Sequence, residues 1–571
     1  MRTGRLSPAA RTSAIAALSR TSAATPLDLL VVGGGVTGAG AALDAATRGL
    51  RVGIVDARDW ASGTSSKSSK LVHGGLRYLE MLDFGLVAEA LRERDLLLTT
   101  LAPHLVRPVT FVYPLESPVV ERAYIGSGMA LYDAMAIRPG ARRAMPPHRH
   151  LGPGRLRARF PGLRTEHGGI EYGDAQVDDA RLTHTLIRTA AAHGAIAVNH
   201  APVTGYLRAP DGGISGAHLR DERTGEELAV HARHTLLATG VWTERQQRTA
   251  GSDSGLRVLA SKGIHITVPC DRIEADPGLG VITRTETSVL FIIPWDDLWL
   301  IGTTDTPWRE NVTDPVVTAD DIDHVLANAN AVLTRPLTRA DVLGAFAGLR
   351  PLVQPPKDSD DSTRVSREHA VQEIAPGLTA IVGGKLTTYR VMAEDAVDAV
   401  LRDHRPRPRS RTESVPLLGA DITDLPAPRR DRLRTEHGWD DAHIDRLLHR
   451  YGSLLGEVLD LVAERPELAA PLAGAPHCLR AEAVYAVRAE GAVRLDDVLH
   501  RRLRLDLEVA DRGLETAEAV ARLIAPELGW TPEETTAEVE RFRALIAAER
   551  AAEQSPTDAE AVAEFARHLG R

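Results

Sequence analysis

A chain of 571 residues with 43% hydrophobic and 25% charged residues has room for two or three domains and ordinary globular composition, which excludes a disordered or fibrous protein. A net charge of −9 gives no electrostatic reason to expect nucleic acid, and only local basic patches can meet an anionic membrane or metabolite. Two widely separated cysteines, Cys270 and Cys478, offer neither a disulfide framework nor a cysteine metal motif, which points to a reducing compartment and no metal. No apolar run is long enough to span a bilayer, although peripheral attachment stays open.

Residues 1–26 carry Arg2, Arg5, Arg11 and Arg20 without an acid, a composition shared with organellar transit peptides. Ser7 followed by Pro8 favours instead an N-cap and first turn, opening a helical arm through Leu18. Leu27, Leu29, Leu30, Val31 and Val32 then read as a buried strand running into Gly33-Gly34-Gly35-Val36-Thr37-Gly38. A helix (Ala39 to Arg48) and a second strand (Arg51 to Val55) follow, closing on Asp56, 18 residues past the last glycine. In this register Gly33 permits the tight turn, Gly35 admits a pyrophosphate to the backbone, Gly38 lets helix and strand pack, and Asp56 accepts ribose hydroxyls. An acid there disfavours a 2′-phosphate, so the dinucleotide is FAD or NAD rather than NADP.

Residues 62–78 interleave six Ser/Thr hydroxyls with Lys67, Lys70, His73 and Arg77, and with apolar anchors such as Leu71 and Val72. That mixture suits a phosphorylated, flat ligand approached closely by backbone. Phe84 to Leu101 has helical spacing, residues 137–163 read as a solvated Arg/Pro/Gly-rich excursion, and Asp178-Asp179 caps a helix through Ala192. Strands are predicted at Ala195 to Val198 and Ala229 to Ala238, the latter ending in Ala238-Thr239-Gly240. Between 255 and 350 period-two strands imply an inserted antiparallel sheet, with a hairpin across Asp296-Asp297 and the strand Lys262-Gly263-Ile264-His265. A second strand–glycine–helix element spans Thr379 to Leu401 and turns through Gly383-Gly384-Lys385-Leu386-Thr387, with Lys385 at the helix start. The expected organisation is thus an arm (1–26), an α/β dinucleotide domain with inserted sheet (27–401), a Pro/Arg-rich linker (402–412) and an all-helical domain (413–555). Only five of the 68 basic residues are lysine, so each lysine suggests a place where a compact, tunable charge matters.

From about Leu27 to Leu505 the chain resembles the FAD-dependent, respiratory glycerol-3-phosphate dehydrogenases, most specifically at Thr64 to Leu79, Asp174 to Leu182, Ile293 to Asp305, Gly348 to Leu352 and Gly383 to Arg390. It departs from the family pattern at Asp56, Val241 and Ile264, and the last leaves the placement of His265 less fixed. The resemblance implies a Rossmann-like FAD domain of glutathione-reductase or amino-acid-oxidase type and oxidation of sn-glycerol 3-phosphate to dihydroxyacetone phosphate. Electrons then pass to a membrane quinone, from a homodimer peripheral on the inner face of the cytoplasmic membrane. Against the cofactor it places Thr64, Ser65, Ser66, Ser68, Ser69, Lys70, Gly74, Gly75, Gly240, Gly383, Gly384, Lys385, Leu386 and Thr387, beside the fingerprint glycines and Asp56. With no cysteine or tyrosine suited to flavinylation ahead of Gly74, the FAD is expected to be non-covalent.

Oxidising a secondary alcohol needs a base, a cation beside the flavin and, for this substrate, a phosphate clamp. His265 is the first candidate for the base, its ordinary pKa of about 6.5 lying near working pH. Arg77, Arg350 and Arg367 match family positions lining the substrate site, and guanidinium forks fit phosphate oxygens. Lys385 sits near the isoalloxazine or contacts the substrate oxygen, Tyr78 and Thr387 are hydrogen-bond donors, and Asp305 orients a cation. The alternatives are a glycerol-3-phosphate oxidase using oxygen, a flavin amine oxidase, and a catalytically silent flavin-binding regulatory protein.

Overall fold

The computed structural model describes residues 4–75, 83–137, 144–252, 254–285, 289–354, 369–404 and 406–571. Arg77, Tyr78 and Arg367 lie outside the described residues. Strand Leu27–Val32 is flanked by Val52–Val55 and Glu227–Leu237, and the parallel run continues to Ile196–Val198 on one side and Leu378–Gly383 on the other. A parallel sheet must be covered on both faces, which is why these segments read as unbroken apolar runs. Helices Val36–Thr47, Asp179–Ala192 and Tyr389–Val400 cover one face through a core that includes Ala42, Leu186 and Met392. On the other face lies the N-terminal helix Pro8–Ser19, capped by the Ser7 hydroxyl as its sequence predicts. Its Arg11 is buried in a salt bridge to Asp221, so the arm is packed rather than loose.

The second sheet has ten strands. The long strand Val258–Pro269 pairs antiparallel with Gly344–Val353 and Leu298–Gly302, and the hairpin between Val289–Trp295 and Leu298–Gly302 turns at Asp296-Asp297 as expected. The sheet is larger than its predicted bounds, because Arg107–Pro114, Arg149–Leu151 and Gly169–Gln176 join it from earlier in the chain. The excursion at 137–163 is therefore only partly a surface loop. Its described part holds strand Arg149–Leu151 and helix Pro153–Arg159, and buries Leu151, Leu156, Phe160 and Leu163 in the core of this sheet. Dense arginine, proline and glycine hide that apolar spacing in the sequence.

Beyond residue 412 the chain is helical except for a two-stranded ribbon, Pro471–Leu472 with Ala475–Leu479, so the all-helical expectation is corrected there. The helices do not stop at 555 either. Asp558–His568 packs Ala561 and Phe565 against Trp308 and Leu349 of the second sheet, and Asp558 shares the buried ammonium of Lys262 with Asp321. The stretch predicted as a linker is tethered, Ser410 donating to Asp44 at 2.5 Å. The helical part is locked to the dinucleotide part by Arg502, whose fully buried guanidinium donates to both oxygens of Asp59 at 2.6 and 2.9 Å. Arg501 reaches the same carboxylate at 2.6 Å.

Candidate active site

The dinucleotide turn is built by steric exclusion. A Cβ on Gly38 would lie 1.9 Å from the Gly33 carbonyl oxygen, so only glycine lets the helix start this close to the strand. Gly33 itself has φ +112 and faces the Ala238 carbonyl. Gly35 caps helix Val36–Thr47 with no side-chain cap, while Ser65 Oγ accepts from Val36 N at 2.9 Å. The helix N-terminus and the Ser65 hydroxyl therefore converge where a pyrophosphate would sit. Asp56 accepts from Gly34 N at 2.6 Å and Arg58 N at 2.8 Å, and burial pushes its carboxyl up to about 6. Gly240 follows the end of strand Glu227–Leu237, opening the short turn Gly240–Trp242. These groups fit the adenosine diphosphate half of FAD, whose bound isoalloxazine supplies a two-electron acceptor.

Alongside lies a cavity of about 640 Å³ between the two sheets, lined by Ser69, His73, His265, Arg350, Lys385 and Thr387 among others. The second sheet supplies His265 and Arg350 from its paired strands. His265 stacks on Phe346 with ring centroids 5.0 Å apart and an interplanar angle of 11°, and its Nε2 is 2.8 Å from Ser69 Oγ. Burial first, then the charges of Arg350 and Lys70, hold its pKa well below the ordinary 6.5, so the imidazole is neutral. Ile264 does not disturb this placement, since its side chain points into the sheet core. Arg350 lies across Gly263, where an added Cβ would stand 2.5 Å from Nη2. It donates to Thr303 Oγ1 at 2.9 Å and is 3.5 Å from Asp305, the carboxylate expected to orient a cation.

The Ser/Lys segment divides between cofactor and scaffold. Ser68 donates through both its backbone N–H and its hydroxyl to Asp179, at 2.9 and 2.7 Å. The Lys70 ammonium, fully buried, donates to the same carboxylate at 2.7 Å and to Ser66 O at 3.1 Å. The side chains of Ser68 and Lys70 are thus bonded to Asp179, because a carboxylate buried at a helix start demands a cation and donors, and Ser68 lines the cavity as well. Thr64 Oγ1 donates to Leu349 O at 2.6 Å and Ser66 is buried. Gly74 N donates to the Tyr132 hydroxyl at 2.8 Å, and Gly75 lines the cavity. Thr387 Oγ1 accepts from His73 N at 3.1 Å and so ties the two glycine-bearing turns together. Gly383 and Gly384 both have positive φ, and Gly384, Lys385 and Leu386 line the cavity. The helix after them begins at Tyr389, so Lys385 belongs to the turn rather than to the helix start. Tyr132 and Phe346 escaped the sequence reading, and Asp179 entered it only within a helix cap, not as the partner of Ser68 and Lys70. Only the acid pair Asp178-Asp179 left a signal, and it pointed to the cap that Asp178 indeed makes to Arg181 N.

Residues 28–390 match the family described as FAD dependent oxidoreductase, and residues 410–535 match the C-terminal domain of alpha-glycerophosphate oxidase. Glycerol-3-phosphate dehydrogenase 2 of Mycobacterium tuberculosis is 47% identical over 538 residues, covering 94% of this chain and 90% of that protein. The chain belongs to the FAD-dependent glycerol-3-phosphate dehydrogenases. The mitochondrial glycerol-3-phosphate dehydrogenase of Bos taurus is 34% identical, with 94% of this chain and 75% of that protein covered. Among solved structures, the glycerol-3-phosphate dehydrogenase from Bacillus halodurans complexed with FAD superposes with a TM-score of 0.75 at 30% identity, covering 95% of this chain and 98% of that one. Family membership and the glycine cradle agree on FAD, and they give contrasting expectations for two glycines. Gly35→Val should leave a folded protein without flavin absorbance, because only Ser65 Oγ, 3.1 Å away, approaches the new Cβ. Gly38→Ala should instead lower the thermal midpoint of the apoprotein through the clash with Gly33. Equal flavin retention by Gly35→Val and the parent would remove the pyrophosphate from this turn.

Proposed function

We propose that the chain oxidises sn-glycerol 3-phosphate to dihydroxyacetone phosphate and delivers the electrons to a membrane quinone. The observation carrying this reading is the meeting, in one cavity, of a neutral His265, the guanidinium of Arg350 and Lys385 in the flavin-facing turn. His265 takes the hydroxyl proton, Arg350 holds the phosphate with Thr303 beside it, and Lys385 supplies positive charge against the ring. Arg77, Tyr78 and Arg367 complete the clamp in this reading on sequence grounds alone.

Anaerobic addition of sn-glycerol 3-phosphate should bleach the flavin, whereas glycerol barely should, since it cannot recruit the clamp's binding energy. Arg350→Lys should lower kcat/KM for the phosphate ester by tenfold or more, roughly the loss of one charge-assisted fork contact. Equal efficiency on glycerol would overturn the phosphate clamp, and no bleaching by either alcohol would favour the silent flavoprotein.

The quinone part is supported by an apolar surface at the cavity mouth. Helix Val120–Met135 exposes Val120 (77%), Tyr124 (58%) and Leu131 (42%), with Val119 before it, and Phe84 lies nearby in the cavity wall. Tyr124, Ile125, Met129 and Leu131 line the cavity as well, so the apolar face runs from the surface to the site. No helix among the described residues is long and apolar enough to cross a membrane, which leaves surface contact as the mode of attachment in this reading. The double variant Val119→Glu/Val120→Glu, at two exposed positions outside the cavity lining, should lose cosedimentation with vesicles of neutral and anionic phospholipid while still bleaching with substrate. Stoichiometric peroxide from the parent in air, with no quinone reduction, would replace the quinone by oxygen.

A further inference from the structure

His265 presents a difficulty as a base that its ring geometry resolves. Its Nδ1 is buried and has no hydrogen-bond partner among the described residues. Only Nε2 is available for proton transfer, and Ser69 Oγ already occupies that edge at 2.8 Å. Both residues line the cavity, but His265 is only 2% exposed while Ser69 is half-buried. Phe346 covers one face of the imidazole, and Gly302 crowds its edge, where an added Cβ would lie 2.5 Å from Cδ2. The ring is therefore fixed with its reactive nitrogen behind a hydroxyl.

We infer that Ser69 relays the substrate's hydroxyl proton to His265. The proposal rests on His265 being the base, and it makes Ser69 the group that touches the substrate hydroxyl. As the substrate's O–H bond breaks, its proton passes to Ser69 Oγ, and the serine's own proton passes to Nε2. The carbon–hydrogen bond at the carbinol carbon breaks with its electron pair going to FAD as hydride, so the alcohol loses two electrons and the flavin gains them. The hydroxyl ends the step as it began it. The relay requires the resting imidazole to carry its proton on Nδ1, so that Nε2 presents its lone pair to the Ser69 hydroxyl. Ser69 is thereby assigned to proton transfer, whereas its neighbours Ser68 and Lys70 anchor the segment on Asp179.

Two measurements on flavin-loaded protein test this. Histidine ¹⁵N NMR without substrate, with the His265 signals assigned by their loss in His265→Asn, should report Nδ1–H and an unprotonated Nε2. An Nε2–H tautomer would overturn the relay. In anaerobic stopped flow, Ser69→Ala should retain FAD and reduce about 10- to 100-fold more slowly, the lower part of the range for a lost proton-transfer group. The parent's rate should curve with the deuterium fraction of the solvent, as two protons move together, and the Ser69→Ala rate should be linear. Ser69→Ala reducing at the parental rate while His265→Asn is slow would overturn the relay and leave the base intact. Parental rates in both variants would instead overturn His265 as the base. A slow Ser69→Ala that has lost its FAD, or that keeps the parent's curved dependence, would assign the hydroxyl to cofactor binding or scaffold and overturn the relay.

Discussion

Replacing His265 by asparagine should slow flavin reduction by sn-glycerol 3-phosphate about 10²- to 10⁴-fold while FAD stays bound, the usual range for a lost acid–base group. The amide keeps the size and polarity of the ring edge but cannot accept a proton at this pH. Burial and the nearby Arg350 and Lys70 hold the substrate-free imidazole below its ordinary pKa of 6.5, so it should stay neutral on acidification past that value. A depressed histidine pKa stabilises the fold above 6.5 and loses that contribution as pH falls, because the unfolded chain binds the proton more readily. A phosphate placed beside Arg350 offsets one of the two depressing charges. The acid limb of the saturated reduction rate should therefore lie above the titration midpoint of His265 in substrate-free protein, as read by NMR. A rate that is flat across the acid side, or a His265→Asn variant that reduces normally, would move the base elsewhere, with Lys385 the next candidate.

The largest stability effect should come from Asp59→Ala. This change strands Arg502, which is fully buried, and removes the contact of Arg501 at the same joint. Removing one partner of a buried ion pair costs about 3 to 5 kcal/mol, since the remaining charge stays desolvated. Denaturant unfolding should show that loss, and a change below about 1 kcal/mol would mean that water reaches the joint. The two arginines hold the Asp59 carboxyl far below its ordinary 3.8. Their stabilisation is thus complete above that value and fades only as pH falls toward the depressed pKa, so the joint should survive mild acid that Asp59→Ala does not.

What the sequence made legible was chiefly what steric rules impose. Gly33 and Gly38 are readable because no other residue fits their contacts, and Ser7-Pro8 is readable because capping chemistry is local. Strands such as Leu27–Val32 are readable because burial on both faces leaves no polar alternation. Direction within a polar segment was not legible. Ser68, Ser69 and Lys70 look alike as donors, and only Asp179, 109 residues after Lys70, determines which of them a buried carboxylate engages. The early strands of the second sheet were missed for a similar reason: Arg107–Pro114 meets its partner Leu279–Arg284 across a long sequence gap, and nothing local marks that pairing. Lysine scarcity was informative, since Lys70 and Lys262 are both buried among carboxylates. Three residues expected in the clamp, Arg77, Tyr78 and Arg367, stand as sequence inferences.

The interleaving of the sheets sets when the strands around the glycine turn are complete. Strand Leu27–Val32 finds one parallel neighbour in Val52–Val55 but the other only in Glu227–Leu237, and that strand in turn waits for Leu378–Gly383. A chain emerging from the ribosome thus displays its glycine turn long before its second bracketing strand, Glu227–Leu237, exists. Non-local pairing of this kind makes folding slow and leaves strand edges open meanwhile. The last lock, Arg502 onto Asp59, joins positions 443 residues apart. The strands around the turn are therefore complete only late in synthesis, and a nascent chain released short of the C-terminal helices lacks that lock.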